Sequence, residues 1–494
     1  METKLNAKLA TAHKYYRDGR SANYETQILL TQQNGYLEPD EGEKTYKVNQ
    51  KQLKEIVPEY SSRHIFDLNL SFGPYALDYT MNGTSLLLGG RKGHIALMNW
   101  REAKLMTEFH LKELVRDVKF LQNELLFAVA QRKGLYIYDS QGIEVHALKT
   151  HIEPQKLEYL PYHFLLVSAN NHGFLKYLDI SVGKPAAEHR FHFENVNDMK
   201  RNPWNGVICV GDARGIVTMW TPNINKPVVR LIAHNGPCKS LAIDSRGLYL
   251  ATGGADCKVK IFDIRSLGNP LQEYWTEVPC NSLSISQTGL LSMSSLSEVK
   301  IWKDWQLEKQ KSPYMSHICT SSIADTQFVP YEDFLGIGTA NGFSNICIPG
   351  SGLANYDSNE ANIFQTKRQR QEQEVHNLLE KLPPDTIVLN PHEIGTVDKA
   401  SEEVIKAEEK AEKEEKERLE NEKKKKKKKE KEKKKVKESV HTKKVREKIQ
   451  DSLMEKKKDK LEQKEKMAKD IQFLMDATAD LFDVPKKKKK INEE

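Results

Sequence analysis

Apolar and polar residues alternate along most of the first 350 positions of this 494-residue chain, a pattern typical of β-strands. Seven stretches repeat one order of residue types: a strand that ends in small residues, a tight polar turn, and an alternating strand that ends in a bulky residue. This order predicts seven hairpins. The stretches are LLLGGRKGHIALMNW (86–100), FAVAQRKGLYIYDS (127–140), LLVSANNHGFLKYLDI (165–180), VICVGDARGIVTMWTP (207–222), LATGGADCKVKIFDIR (250–265), LSMSSLSEVKIWKDW (291–305) and LGIGTANGFSNICIPG (335–350).

The spacing of the bulky residues separates this fold from other all-β architectures. Successive intervals are 40, 40, 42, 42, 40 and 45 residues, the period of WD40 repeats with one four-stranded blade per repeat. We therefore predict an all-β, seven-bladed WD40 β-propeller over residues 60–350. The ring must close, because an open blade exposes a sheet edge, and the run HIFDLNLSF (64–72) can supply the last blade's outer strand. The bulky residues are Met98, Tyr138, Leu178, Trp220, Phe262, Trp302 and Cys347.

Residue types at the turns favour the same fold. Five turn glycines fit hairpins that need a positive φ. In the fifth repeat, His234 and Asp256 occupy the positions at which WD repeats place the His and Asp of their side-chain network. An Asp also follows the bulky residue in three repeats, as in a WD dipeptide. The glycines are Gly93, Gly134, Gly173, Gly215 and Gly342, and the aspartates are Asp139, Asp179 and Asp263.

No pattern in the sequence predicts catalysis or a bound cofactor. The segment GIGTANG (336–342) resembles a phosphate-binding loop, but FSNICI follows and alternates like a strand, where such a loop needs a helix. GxSxG, HExxH and Walker patterns are missing. The six cysteines include no CxxC pair, so we expect reduced thiols packed in strands. We predict no enzyme activity, no metal, no cofactor and no small-molecule substrate.

The net charge of +7 arises at the end of the chain. Residues 401–494 hold 33 Lys and Arg against 25 Asp and Glu, so the first 400 residues are nearly neutral. Runs of like charge are usually solvated, and we expect this tail to be disordered or a lone helix. Its lysine runs are typical of nuclear localisation signals and of unspecific RNA binding. The predicted localisation signal is Lys486, Lys487, Lys488, Lys489 and Lys490.

The sequence divides into four parts: an N-terminal extension (1–59), the propeller (60–350), a C-terminal segment (351–397) and the charged tail (398–494). No window offers the 18 consecutive apolar residues of a membrane-spanning helix, and the N-terminus lacks a signal-peptide core. We therefore expect neither secretion nor a membrane partner.

The C-terminal segment predicts a capped amphipathic helix. Thr366 with Gln369 three residues later forms a capping box, and two prolines at 383 and 384 stop the helix. Three cations lie in its first turns, where they oppose the helix dipole and favour an anionic partner, either phosphate or an acidic protein surface. A solvated basic face with the apolar stripe docked on the propeller remains the alternative. The cations are Lys367, Arg368 and Arg370, and the stripe is Val375, Leu378, Leu379 and Leu382.

Aromatic residues outside the repeats supply further candidates. The N-terminal run HKYYRDGR (13–20) interleaves aromatics with cations, a composition suited to stacking on bases and contacting phosphate. Its candidate RNA- or partner-binding residues are Tyr15, Tyr16, Arg17 and Arg20. Three tryptophans near predicted loops, Trp204, Trp275 and Trp305, could anchor an interface or pack between blades.

Two segments outside the repeats resemble a known family. Residues 351–382 (SGLANYDSNEANIFQTKRQRQEQEVHNLLEKL) with LPPDTIVLNP (382–391), and GYLEPDEGEKTYKVNQKQL (35–53) before the propeller, are similar to the WD-repeat component of the small-subunit processome with a BING-four C-terminal domain. The chain departs from that pattern at Leu353, Ala354 and Ile363, where Glu, Pro and Pro are expected.

The resemblance implies a non-enzymatic scaffold of the 90S pre-ribosome, associated with the U3 small nucleolar ribonucleoprotein and required for pre-18S rRNA processing and small-subunit biogenesis. It implies a nucleolar location and, as partners, pre-ribosomal RNA or U3 snoRNA together with several processome proteins. The propeller alone would also suit the substrate receptor of a ubiquitin ligase, which stays the alternative.

Overall fold

Among the residues that the structure describes, twenty-eight strands form seven four-stranded antiparallel sheets. The computed structural model describes residues 9–21, 35–40, 42–191, 195–355, 361–362, 365–394 and 440–479. The first strand of each blade contacts the first strands of both neighbouring blades, so these seven strands surround the centre of a ring. The predicted seven-bladed WD40 propeller is confirmed.

Six blades are formed by consecutive strands, each sheet running outward in chain order. Their strands are, blade by blade: β2 Tyr75–Tyr79, β3 Ser85–Gly90, β4 His94–Asn99 and β5 Lys104–His110; β6 Val115–Phe120, β7 Leu126–Gln131, β8 Leu135–Asp139 and β9 Glu144–Leu148; β10 Pro154–Leu160, β11 Leu165–Asn170, β12 Phe174–Asp179 and β13 Lys184–Arg190; β14 Val196–Arg201, β15 Ile208–Asp212, β16 Ile216–Trp220 and β17 Val229–Ile232; β18 Cys238–Ile243, β19 Tyr249–Gly254, β20 Lys258–Asp263 and β21 Gln272–Trp275; β22 Cys280–Ile285, β23 Leu291–Ser295, β24 Glu298–Trp302 and β25 Met315–Ile318.

The seventh blade closes the ring with a strand from the other end of the propeller. Its inner strands are β26 Ile323–Phe328, β27 Phe334–Thr339 and β28 Gly342–Cys347, and its outer strand is β1 Phe66–Asn69. Phe66 pairs with Asn345 and Leu68 with Phe343 in an antiparallel register. The prediction that residues 64–72 supply this strand is confirmed. The GIGTANG segment lies in β27 and its turn, as the strand pattern predicted.

Charged side chains of the innermost strands join adjacent blades. Asp117 Oδ2 accepts a hydrogen bond from the Leu157 amide at 2.8 Å, and Asp78 Oδ2 accepts one from the Phe120 amide at 2.7 Å. Lys119 lies between Asp78 at 3.1 Å and Glu158 at 3.4 Å. Burial alone would lower the pKa of Lys119, but the two carboxylates raise it above the ordinary lysine value. The blades are therefore joined by ion pairs as well as apolar contacts.

The side-chain network predicted in the fifth blade is present. His234 is buried, with Nδ1 3.0 Å from Asp256 Oδ1 and Nε2 2.9 Å from Thr252 Oγ1. His151 makes the equivalent contact to Ser168 in the third blade, at 2.6 Å. All six cysteines are free thiols, and four of them lie in strands.

The helices lie outside the ring of strands. Residues 9–21 form α1, followed by α2 Gln50–Ile56, α3 Glu59–Arg63 and α4 Lys367–Leu379, with 3-10 turns at Thr45–Lys47, Pro384–Thr386 and Pro391–Glu393. Residues 396–494 form a second unit, whose described part is the helix α5 Val440–Ala479. The helices of the described residues all lack the length and hydropathy needed to cross a bilayer.

Ring closure predicts that Gly342 is intolerant of a side chain. Its φ of +150° is one that L-residues rarely adopt, and a Cβ there would lie 1.8 Å from the Leu68 carbonyl oxygen on β1. We expect Gly342→Ala to lower the free energy of unfolding by at least about 2 kcal/mol, measured by urea denaturation.

The matched control for this experiment is Gly268→Ala. No described atom lies within 4 Å of a Cβ placed at Gly268, so its effect should stay within about 0.5 kcal/mol. Equal unfolding free energies for the two variants would contradict closure of the ring by β1.

Candidate partner and RNA interface

The loops of the propeller lie on two opposite faces of the ring. The loops that join the first to the second strand and the third to the fourth strand of each blade form one face, which we call the lower face. The loops that join the second to the third strand, and one blade to the next, form the upper face. Antiparallel connection places these two sets at opposite ends of the strands.

The N-terminal extension packs on blades six and seven. The Leu37 amide donates to Tyr314 Oη at 2.8 Å, and the Lys303 ammonium lies 3.7 Å from the centre of the Tyr36 ring. Gln50 forms two hydrogen bonds of 2.9 Å with the backbone of Cys347, at the end of β28. Leu53 is buried in the cluster that contains strands of blades six and seven. The segment resembling the family's N-terminal hallmark is thus attached where the ring closes.

The C-terminal segment leaves the seventh blade and crosses the lower face toward blade four. Its start is held at Gly352, whose amide donates to Asp333 Oδ1 at 2.9 Å. Ala361 is buried, and Arg370 of α4 reaches the loop between β6 and β7, 2.5 Å from Glu124 Oε1. Beyond α4, the Leu382 amide donates to the Tyr162 carbonyl at 3.0 Å in the third blade.

Ile387 is the deepest anchor of this segment. Its side chain is fully buried in the core cluster of blades three and four, beside Gly206, which has a positive φ of +71°. Polar contacts flank it: Asn223 Nδ2 donates to the Asp385 carbonyl and Asn205 Nδ2 to the Leu389 carbonyl, both at 2.9 Å. Burying an Ile side chain contributes about 2 kcal/mol and each hydrogen bond roughly 1 kcal/mol, so these contacts offset part of the ordering entropy of the segment.

His163, in the loop between β10 and β11 of the propeller, contacts the same segment. Its Nε2 lies 3.0 Å from Thr386 Oγ1, and the ring is buried. Burial, with a contribution from nearby Lys381, lowers the pKa of His163 to about 4. Lys381 in turn forms an ion pair with Asp179 and donates to Ser181 Oγ at 2.7 Å. His163 is therefore neutral at physiological pH while the segment is docked.

The structure places α4 as the sequence predicted, but exposes its apolar stripe. Thr366 and Gln369 form the capping box, and the helix ends before the two prolines. The exposed fractions are 58% for Val375, 44% for Leu378, 81% for Leu379 and 44% for Leu382. Val375, Leu378 and Leu379 lie on α4 and Leu382 follows its end, and the described part of the chain does not show the stripe docked on the propeller.

The three cations of α4 have different surroundings. Arg370 pairs with Glu124 on the propeller, and Arg368 pairs with Glu372 one turn later at 3.0 Å. Lys367 has no ion-pair partner among the residues described. For Arg370, the acidic partner that the sequence favoured is therefore Glu124 of this chain's own propeller.

The remaining predicted site residues lie apart from this segment. Tyr15, Tyr16, Arg17 and Arg20 lie on α1, whose described side chains are all exposed, and Tyr15 is 75% exposed. The predicted localisation signal at residues 486–490 lies outside the described residues. The prediction for these residues therefore stays a prediction.

The three tryptophans separate into two groups. Trp305 is fully buried and donates to the Gly289 carbonyl at 2.7 Å. Trp204 and Trp275 are 58% and 70% exposed, and Trp204 lies against His392 of the C-terminal segment with 5.9 Å between ring centres. Packing is the role of Trp305, whereas Trp204 contacts the chain's own extension.

One group of side chains in the described part of the chain could hold a metal ion. The ligand atoms of His94, Glu108 and His110 lie within 4.8 Å of one another at the outer strands of blade one. However, both ring nitrogens of His94 already have partners: Tyr75 Oη at 3.0 Å and Glu108 Oε1 at 2.9 Å. This hydrogen-bonded chain satisfies the buried imidazole without an ion.

Sequence reasoning missed the residues that attach the C-terminal segment. Ile387, His163 and Asn205 were not candidates, although the apolar triplet at 387–389 between polar and proline-rich stretches was a local signal. The contacts of that triplet depend on the closed ring. Asn205 of blade four bonds to Leu389, almost 200 positions later in the chain.

The fold and its attached extensions define a WD40 β-propeller protein with a specialised C-terminal segment. Residues 225–263 match the WD domain, G-beta repeat, and residues 313–390 match the BING4CT (NUC141) domain. The second match covers the outer strand of blade six, the three inner strands of blade seven and the segment that crosses the lower face.

Similar proteins identify the family. U3 small nucleolar RNA-associated protein 7 of Saccharomyces cerevisiae is 44% identical over 418 residues, which cover 81% of this chain and 76% of that protein. WD repeat-containing protein 46 of Homo sapiens is 40% identical, covering 78% of this chain and 64% of that protein, and its Caenorhabditis elegans counterpart is 39% identical, covering 77% and 66%. The chain therefore belongs to the family of U3 small nucleolar RNA-associated protein 7 and WD repeat-containing protein 46.

The environment of His163 predicts that acid loosens the C-terminal segment. With the C-terminal segment released, His163 on the propeller would be more exposed and titrate nearer its ordinary pKa of 6.5, whereas with the segment docked its pKa is about 4. The docked form then binds fewer protons, so docking is strongest above pH 6.5 and weakens as the pH falls from 6.5 toward 4. We expect the amide-exchange protection factors of residues 385–390 to fall over this range.

The comparison variant is His163→Gln, which keeps a hydrogen-bonding group near Thr386 but cannot titrate. Its protection factors for the same amides should depend less on pH than those of the wild type. Identical pH profiles for the two proteins would exclude His163 as the group responsible.

Proposed function

We propose that this chain is a non-enzymatic scaffold of the small-subunit processome, required for pre-18S rRNA processing and small-subunit biogenesis. The observation that carries the proposal is that the family-specific region, residues 313–390, is also the region that completes the ring and crosses its lower face. The relative in yeast is named for its association with U3 small nucleolar RNA. A shared, structurally integrated segment supports a shared assembly role better than the repeats alone would.

The proposed partners are pre-ribosomal RNA or U3 snoRNA and several processome proteins, and the proposed location is the nucleolus. The architecture supports a docking role. The N-terminal extension and the C-terminal segment are both bound to the propeller, so the surfaces they present have fixed relative positions. The family relationship favours this function over the ubiquitin-ligase receptor.

The exposed stripe of α4 supports a protein contact within that assembly. Val375, Leu378 and Leu379 on α4, and Leu382 just beyond its end, stay in solvent although Arg370 in the helix and Lys381 after it form ion pairs with the propeller. A helix fixed in this way presents its stripe without a large ordering entropy, which suits docking into a hydrophobic groove of a partner. Lys367 and Arg368 at the start of α4, and the aromatic and basic residues of α1, are proposed to contact RNA or a partner beside it.

The function is tested by depleting the protein from cells. Small-subunit rRNA should fall and its uncleaved precursor should accumulate, and re-expression of the wild-type chain should restore both, measured by hybridisation to precursor-specific probes. A normal precursor profile would contradict the processome role. Co-purification with ligase subunits and without nucleolar RNA would favour the alternative.

The stripe is tested by Leu379→Glu, with Gln371→Glu on the same helix as its control. Both substitutions add one negative charge at an exposed position of α4. We expect Leu379→Glu to reduce the recovery of at least one co-purifying processome protein about tenfold, as for the loss of an interface anchor, while Gln371→Glu does not. Equal recovery with both variants would contradict a partner contact through the stripe.

A further inference from the structure

The charged side chains of the upper face are distributed unevenly around the ring. In the turns between the second and third strands, the second turn residue is Lys92 in blade one, Lys133 in blade two, His172 in blade three and Arg214 in blade four, and all four are exposed. The equivalent residue is Asp256 in blade five and Asn341 in blade seven, while blade six has a two-residue turn without charge. We call the first four residues the upper arc.

The turn geometry explains why these side chains point away from the sheets. The turns of blades one and four close through hydrogen bonds from Gly93 to Gly90 at 2.9 Å and from Gly215 to Asp212 at 3.1 Å. A Cβ at Gly93 would lie 2.1 Å from the Leu111 carbonyl oxygen, and one at Gly215 2.3 Å from that of His234. The next loop therefore packs directly on each glycine, and the preceding residue is left on the surface of the face.

The adjoining loops extend the asymmetry. The described upper-face loops of blades one to four, including those that lead on to the next blade, hold seven Lys and Arg against two Glu; those of blades five to seven hold no Lys or Arg and two acidic residues. Glu113 is paired with Lys133 at 2.5 Å, and Glu153 with Arg116 at 3.8 Å. Because the first 400 residues are nearly neutral, this half of one face is a local concentration of positive charge.

A second, independent feature lies at the blade-one end of the upper arc. Phe72 is 39% exposed, and its ring centre is 4.5 Å from that of the exposed His110. The Lys92 amide donates to the Phe72 carbonyl at 3.3 Å, so the aromatic pair is tied to the first residue of the arc. Exposed aromatic rings beside a line of cations are the combination that binds single-stranded RNA, since bases stack on the rings while phosphates meet the charges.

We propose that the upper arc binds the phosphate backbone of a single-stranded RNA segment, with a base stacked on Phe72 and His110 at one end. The proposal rests on the proposed function, which supplies RNA as a partner, and adds the surface and the strandedness. An acidic protein segment would match the charges but leaves the aromatic pair unexplained. The C-terminal segment lies on the other face, so it does not compete for this surface.

The test uses the full-length chain with Lys92, Lys133 and Arg214 all replaced by Asn, the residue that stands in the same turn position of blade seven. The matched control replaces the exposed Lys104, Lys184 and Lys226, which lie toward the lower face, with Asn and removes the same charge. The probe is a twelve-residue oligouridylate containing 4-thiouridine. Binding is measured at several salt concentrations, and crosslinked peptides are identified by mass spectrometry.

The wild type and the control should crosslink through peptides that contain Phe72 or His110. The yield of these crosslinked peptides should be at least about fivefold lower in the arc variant. The slope of log Kobs against log salt should become shallower by about 2 in the arc variant, since each single-strand phosphate contact contributes about 0.7. Phe72→Leu should reduce the crosslink yield but leave the slope unchanged, because it removes stacking and no charge. Equal losses in the arc variant and the control, or unchanged crosslinks in the arc variant, would overturn the proposal.

Co-sedimentation with ribosomal precursors separates this proposal from the function on which it rests. If the wild type fails to co-sediment, the processome role fails whatever the crosslinks show. If the wild type co-sediments and the arc variant keeps its crosslinks, the function stands and the arc proposal fails. Loss of a protein component from the arc variant with unchanged RNA crosslinks would assign the arc to an acidic protein instead and would also overturn the proposal.

Discussion

Pairing between β1 and β28 is the constraint on which the other features depend. It joins residues 66–69 to residues 342–345 and completes the seventh sheet, which would otherwise have an unpaired edge. The N-terminal extension is bound at this same place through Gln50 and Cys347, and the C-terminal segment leaves β28 a few residues later. Both extensions therefore take their positions from one strand pair.

The closed ring also explains the charged residues of the inner strands. Asp78, Lys119 and Glu158 come from three consecutive blades and meet only because the strands converge on one axis. Removing Lys119 would leave Asp78 and Glu158 buried without this cation. The loss of stability should therefore exceed the net contribution of the ion pairs themselves.

The sequence was sufficient to predict what depends on local pattern and period. The hairpins at 86–100 and 250–265, the closing strand and the capping box at Thr366 could be predicted because each is specified by neighbouring residues or by a repeat of about 40 positions. The partner of Arg370 could not, since Glu124 is 246 positions away and no periodic rule connects them. The upper arc was missed although its residues occupy one turn position of the repeat, because their exposure and the neighbouring pair of Phe72 and His110 come from the structure.

The strand exchange at the seventh blade has a consequence for synthesis of the protein. β1 is made first among the strands, yet its pairing partner follows about 270 residues later, so a growing chain carries an unpaired strand until nearly the whole propeller has emerged. Docking of the C-terminal segment comes later still, because its anchor residues follow β28. A chain truncated before β28 therefore lacks both the closed ring and the segment that crosses its lower face, and it exposes an unpaired sheet edge that favours aggregation.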